Sequence, residues 1–215
     1  PDQPSDREHR YARPAYGFDA FADAADPRST CATCHGADGA GRPGGAFPNL
    51  TIQTTTYLKD ALTAFATGQR KSAYMQTIAT QLSPQQIDRL AAYYGTLPAK
   101  AAVGGPVNGA GRALGARIVA YGDRVRGVGA CTSCHGITRA VGKAVPRLEG
   151  QSARYLIDQM RAFKSGGRGS SGSVNPMNRI AHDLTDHQIM AIASYYASTP
   201  PGTKPLPAAQ AAARP

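Results

Sequence analysis

Apolar residues recur at helical spacing in two separated stretches of the chain, and both stretches carry the same pattern. Tyr57–Thr67 sets Leu58, Ala61, Leu62 and Phe65 on one helix face, and Leu156, Met160 and Phe163 do the same further along. A second stripe, Ile87, Leu90, Ala91 and Tyr94, returns as Ile189, Ile192, Ala193 and Tyr196 with i, i+3, i+4, i+7 spacing. Each of these later helices opens on a capping box, Ser83-Pro84-Gln85-Gln86 and Thr185-Asp186-His187-Gln188. Proline at the first helical position costs nothing, because its missing N–H would have had no partner. Further helices are expected at Arg112–Tyr121 and, more weakly patterned, at Phe18–Ala24. No stretch alternates as a strand would. The expected fold is all-α.

The repetition extends beyond hydrophobicity. Cys31–Gly36 pairs with Cys131–Gly136 at an offset of 100 residues. Pro48, Leu50, Gln53, Tyr57, Phe65, Gly68 and Arg70 meet Pro146, Leu148, Gln151, Tyr155, Phe163, Gly166 and Arg168 at an offset of 98. Four extra residues around the Gly-Ser-rich stretch Gly169–Ser173 then move the offset to 102, where Met75 meets Met177 and Tyr93-Tyr94 meets Tyr195-Tyr196. So many matches in one order mean an internal duplication. The expected division is an N-terminal extension (1–15), a first domain (16–97), a linker (98–111), a second domain (112–199) and a Pro/Ala-rich tail (200–215). Domains of about 80 residues bury only a marginal core unaided, so each needs a further core element.

That element is written into the cysteines. The chain has four, and all lie in two pentapeptides, Cys31-Ala32-Thr33-Cys34-His35 and Cys131-Thr132-Ser133-Cys134-His135. Cys-x-x-Cys-His is the attachment signature of c-type haem: two thiols form thioethers to the porphyrin and the histidine ligates iron. A redox disulfide or a zinc site would use Cys-x-x-Cys as well. The βαβ pattern of the first is missing, and zinc pairs sit about 15–20 residues apart, whereas Cys34 and Cys131 are separated by 97. Two covalently held haem c groups are expected, on Cys31, Cys34, Cys131 and Cys134, with His35 and His135 as proximal iron ligands.

The duplication also selects the second axial ligand. Met75 is the first repeat's one methionine; its counterpart is Met177, and the two follow their haem histidines by 40 and 42 residues. Met160 matches Leu62 on an apolar face and reads as core packing; Met190 matches Asp88 and reads as helix surface. His9 lies in a polar stretch, and His182 and His187 match Thr80 and Gln85, so none has repeat support. His/Met ligation raises the potential relative to two histidines, and with both axial positions filled the chemistry is one-electron transfer rather than catalysis. Pro48 and Pro146 are candidates to present carbonyls to the histidine Nδ1–H, or for ordinary packing or surface. Gln53/Gln151, Tyr57/Tyr155 and Arg70/Arg168 are candidates for propionate contacts, or for ordinary packing.

Charge adds an asymmetry. Residues 1–100 hold 10 Lys/Arg against 9 Asp/Glu, and residues 101–215 hold 14 against 5. The basic second half suits docking to an acidic partner or membrane surface. No aromatic-interleaved basic motif is present, so nucleic acid is not expected as a partner. No apolar run approaches the ~20 residues that span a bilayer. Covalent haem attachment implies export, so an export segment removed ahead of Pro1, or an N-terminal anchor there, is expected.

These residues resemble a known family, the two-domain dihaem cytochrome c4 proteins. The resemblance runs from Thr30 to about Pro200. It is carried by Cys31-x-x-Cys34-His35-Gly36, Pro48-x-Leu50, Met75 before Leu82-Ser83, and Tyr93-Tyr94, with their counterparts from Cys131 to Tyr196. It implies two class I cytochrome c folds packed face to face, with haem propionates approaching across the interface. It further implies a periplasmic carrier between a quinol-oxidising bc1-type complex, or a dehydrogenase, and a terminal oxidase. The first repeat departs from the pattern in having Ile52-Gln53 where the second has Gly150-Gln151, and the insertion before Met177 is long. Two other functions compete with the carrier: a dihaem oxidoreductase of thiosulfate dehydrogenase or peroxidase type, and a dedicated cytochrome subunit of a dehydrogenase or oxidase complex.

Overall fold

A computed structural model describes residues 27–103, 111–136, 145–168 and 175–203. Among these residues the chain is helical, its one β feature being an isolated antiparallel bridge between Asp123 and Val128. In the first repeat α1 spans Pro27–His35, α2 Thr55–Ala66, α3 Ala73–Ala79 and α4 Pro84–Thr96. In the second, α5 spans Arg112–Tyr121, α6 Thr132–His135, α7 Ala153–Lys164, α8 Pro176–Asp183 and α9 Asp186–Ser198. The expected helix at Phe18–Ala24, the insertion Gly169–Ser173 and the tail beyond residue 203 lie outside the described residues.

The helix ends follow from local chemistry. Ser83 and Thr185 accept from the backbone N–H of Gln86 and Gln188, whose side chains accept from the cap residues' own N–H groups, so both capping boxes form. Thr54 and Ser152 cap α2 and α7 in the same place of each repeat. Gly36 ends α1 in the left-handed region at φ 81°, where a Cβ would stand 2.6 Å from the Gly41 carbonyl oxygen. Only glycine fits there.

Packing joins the helices into two cores. In the first repeat α2 lies on α4, burying Leu58 against Leu90, Ala91 and Tyr94. In the second, α9 is gripped by α5 on one side and α7 on the other. Ile118, Val119, Leu156, Ile157, Ile189, Ile192 and Tyr196 meet there. The α5–α9 crossing is close enough that a Cβ on Gly115 would stand 2.6 Å from the Ala191 carbonyl carbon and 3.0 Å from Tyr195 Cβ. This grip also buries Tyr195, Ala191 and Ser194, so α9 is hidden nearly all round, beyond the single stripe its spacing predicts. Met160 packs against this core and Met190 stays exposed, as their repeat partners predict.

The stretch after α4 is more than a spacer. Lys100 N–H donates to Thr51 Oγ1 at 3.1 Å, Ala102 N–H to the Gly150 carbonyl at 2.8 Å and Val103 N–H to the Ala40 carbonyl at 3.3 Å. Asn49 Nδ2 reaches the Lys100 carbonyl at 2.7 Å. The segment is therefore laced to both repeats.

Candidate functional site

Each haem motif sits on a helix that delivers its histidine to the interior. His35 ends α1 and His135 ends α6, and both rings are buried, at 7% and 9% exposure. Their Nδ1 atoms lie 2.9 Å from the Pro48 and Pro146 carbonyl oxygens. A carbonyl only accepts, so Nδ1 carries the proton and Nε2 keeps its lone pair for a metal. Burial holds both rings below the usual imidazole range, against the raising effect of the proline carbonyls, so both are neutral at pH 7. The two proline contacts are those for which the sequence offered these residues as candidates.

The thiols fit covalent attachment. None of the four cysteines is in a disulfide. Burial pushes the Cys131 thiol up to about 11, so it has little thiolate character and does not suit the redox-disulfide alternative. Among the described residues, three buried side-chain atoms of the second repeat lack a hydrogen-bond partner: Arg147 Nε, Glu149 Oε1 and Tyr196 Oη. An unpaired buried guanidinium nitrogen is costly unless an anion meets it, and a haem carboxylate is the anion this site would supply.

Met75 and Met177 occupy the first turns of α3 and α8, both half-buried. Their backbone N–H groups are tied to cap side chains, Met75 to Ser72 Oγ at 3.2 Å and Met177 to Asn175 Oδ1 at 2.9 Å. The same device fixes both methionines at the start of a short helix. His182 and His187 are exposed, His182 lying against Asp183, and neither reaches the interior. His9 lies outside the described residues.

The residues considered for propionates turn out to join the repeats to one another. Arg70 donates to Tyr155 Oη at 2.8 Å and Gln159 Oε1 at 3.0 Å; Arg168 donates to Gln159 Oε1 at 2.6 Å and Tyr57 Oη at 3.3 Å. Each guanidinium also stacks over its own repeat's phenylalanine, Phe65 or Phe163, at 4.5 Å. Burial would raise the Tyr57 phenol, but Arg168 and Arg70 outweigh it and hold it below its usual range. Gln53 and Gln151 cross the seam likewise. Gln53 bonds both backbone groups of Arg147, at 2.9 and 3.0 Å, and Gln151 both of Asn49, at 3.0 and 2.8 Å. Ser152 Oγ adds a donor to the Gly45 carbonyl. Sequence reasoning missed Asn49 and Gln159. Asn49 shares its position after proline with Arg147, which gave a faint signal, while Gln159 answers to Ala61 and gave none.

Comparison with known proteins agrees with this geometry. The cytochrome c family pattern matches residues 15–98 and again 119–200. The chain is 38% identical over 181 residues to the thiosulfate dehydrogenase electron acceptor of Thiomonas intermedia (strain K12), covering 84% of this chain and 83% of that one. Among solved structures, reduced recombinant cytochrome c4 from Pseudomonas stutzeri superposes with a TM-score of 0.69 at 28% identity, over 80% of this chain and 94% of that one. The thiosulfate dehydrogenase of Marichromatium purpuratum gives a TM-score of 0.69 at 32% identity, over 79% of this chain but only 36% of that longer one.

Two tandem, helical cytochrome c domains, each with its own covalently attached haem c, define the class: a dihaem c-type cytochrome. Similarity to the cytochrome c4 of Pseudomonas aeruginosa, 34% identical over 170 residues and covering 78% of this chain and 82% of that one, narrows it further, and the chain belongs to the cytochrome c4 family. It is an electron-transfer protein of that type, and its partners are redox proteins.

Proposed function

We propose that this chain is an exported electron carrier that takes electrons from a dehydrogenase of the thiosulfate-oxidising class and passes them to a terminal oxidase or similar acceptor. In this reading the domains are 16–97 and 112–199. Cys31 and Cys34 hold one haem and Cys131 and Cys134 the other. His35 with Met75, and His135 with Met177, ligate the two irons. Haem supplies a one-electron cycle between ferric and ferrous iron. The chain's own residues orient it: Pro48 and Pro146 fix the histidine rings, Ser72 and Asn175 fix the methionine helices, and the apolar cores keep water out.

The observation that carries the proposal is the duplicated, neutral, proline-anchored histidine, each with a position-matched methionine, in a chain so similar to a thiosulfate dehydrogenase electron acceptor. Export follows from covalent haem attachment, and no helix among the described residues is long and apolar enough to cross a membrane. The basic second half is the docking face for an acidic partner, so association weakens as salt rises. The test is stopped-flow reduction of the ferric protein by a thiosulfate dehydrogenase with thiosulfate, at several ionic strengths. Rapid reduction of both haems, slowed by salt and without thiosulfate turnover by the carrier alone, is expected. A carrier that oxidises thiosulfate unaided, or shows high-spin ferric iron, would instead be a dihaem oxidoreductase.

A further inference from the structure

The two glutamines of the seam do more than hold the repeats together. Consider the peptide unit joining Pro48 to Asn49. Its carbonyl accepts from His35 Nδ1 at 2.9 Å, and its N–H donates to Gln151 Oε1, on the other repeat, at 2.8 Å. The peptide joining Pro146 to Arg147 is built the same way. Its carbonyl accepts from His135 Nδ1 at 2.9 Å and its N–H donates to Gln53 Oε1 at 3.0 Å. Gln53 and Gln151 occupy equivalent positions, 98 residues apart, and are 5% and 1% exposed. Each histidine is thus linked, through one peptide, to a buried amide that belongs to the opposite domain.

We propose that Gln53 and Gln151 are positioning residues that set the potential of the haem in the opposite domain. A peptide whose N–H is engaged carries a more negative carbonyl, because consecutive hydrogen bonds polarise one another, and most strongly away from water. A more negative carbonyl pulls harder on the histidine Nδ1 proton, making the ring a more electron-rich ligand, which favours ferric iron. Gln53 therefore holds down the potential of the C-terminal haem, and Gln151 that of the N-terminal one. Because each domain tunes the other, the two haems reach their working potentials only when the domains are docked.

This rests on the His/Met assignment proposed above, and the experiment separates the two. The purified dihaem protein and its Gln53→Leu variant are titrated potentiometrically. The haems are told apart by the shifted NMR signals of the Met75 and Met177 methyl groups, and the His135 Nδ1 proton is followed in the ferrous state. Gln53 is the cleaner site, because Gln151 Oε1 also accepts from Ser152 N–H at 2.9 Å. Gln53→Leu is expected to raise the C-terminal potential, leave the N-terminal one in place and move the His135 proton signal upfield. Gln151→Leu should do the converse to the N-terminal haem and His35. Simple loosening of the seam would admit water to both haems and lower both potentials together, since water favours the more charged ferric form. That result, a shift confined to the mutated domain's own haem, or no shift, would overturn the proposal. Wild-type protein lacking two methionine-ligated haems would overturn the ligand assignment instead.

Discussion

Replacing Gly115 by alanine tests whether the α5–α9 crossing sets the stability of the second domain. The new Cβ would meet the backbone of Ala191, 2.6 Å from its carbonyl carbon, and Tyr195 Cβ at 3.0 Å. Ordinary contact lies beyond 3.4 Å, so α9 must retreat by about 1 Å, and that gap forfeits roughly a quarter to a half of the dispersion energy of each facing atom pair. Overpacking costs about 1–3 kcal/mol, and the backbone contact here puts the loss near the upper end. Alanine returns about 1 kcal/mol through its higher helix propensity. The net destabilisation is about 2 kcal/mol, or about 10 °C in Tm for a domain of this size. Circular dichroism at the helical band, on haem-loaded protein, would read it. Gly129→Ala is the control, since nothing stands within 4 Å of the added carbon. Equal melting of wild type and Gly115→Ala would mean that α5 and α9 do not cross this closely.

Other consequences concern the haems, the seam and pH. Met177→Ala is expected to lower the potential of the C-terminal haem alone and open it to cyanide; unchanged potentials at both haems would rule out Met177 as a ligand. Arg70→Leu removes two hydrogen bonds from a charged donor, at ~1.5 kcal/mol each. It should lower the unfolding free energy from denaturant titration by about 3 kcal/mol and split a single unfolding transition into two, whereas a variant unfolding like wild type would make the arginine seam dispensable. Glu149 is buried and desolvation raises its carboxyl above the ordinary 4.5, with a smaller opposing pull from its own backbone and from Leu148 and Arg147. Its folded pKa thus exceeds its unfolded one. The associated stability is complete below pH 4.5 and is lost as pH rises through the raised value. Denaturant midpoints from pH 4 upward should fall in wild type and stay level in Glu149→Gln, and parallel slopes would remove Glu149 as the cause.

The chain's own letters determined what is local or repeated. Helix faces, capping boxes and the haem motifs depend on residues within a few positions of each other, where spacing maps directly onto geometry. The duplication carried this further, because a residue that recurs at the same place, such as Pro48 and Pro146 or Met75 and Met177, is judged twice. It failed where a role is not visible within either copy. Spacing offered Gln53, Tyr57 and Arg70 for propionate contacts or ordinary packing and offered no role for Gln159, and it pointed none of them across the seam. Their partners, Arg147, Tyr155 and Arg168, lie roughly a hundred residues away and belong to the opposite repeat. Which polar groups face one another across two docked domains depends on the docking orientation, and no periodicity encodes that. Burial of α9 beyond its one apolar stripe was likewise decided by two other helices closing on it. Tertiary structure alone determined that the glutamines meet the peptides behind the histidines, because that contact exists only once both domains are folded and joined.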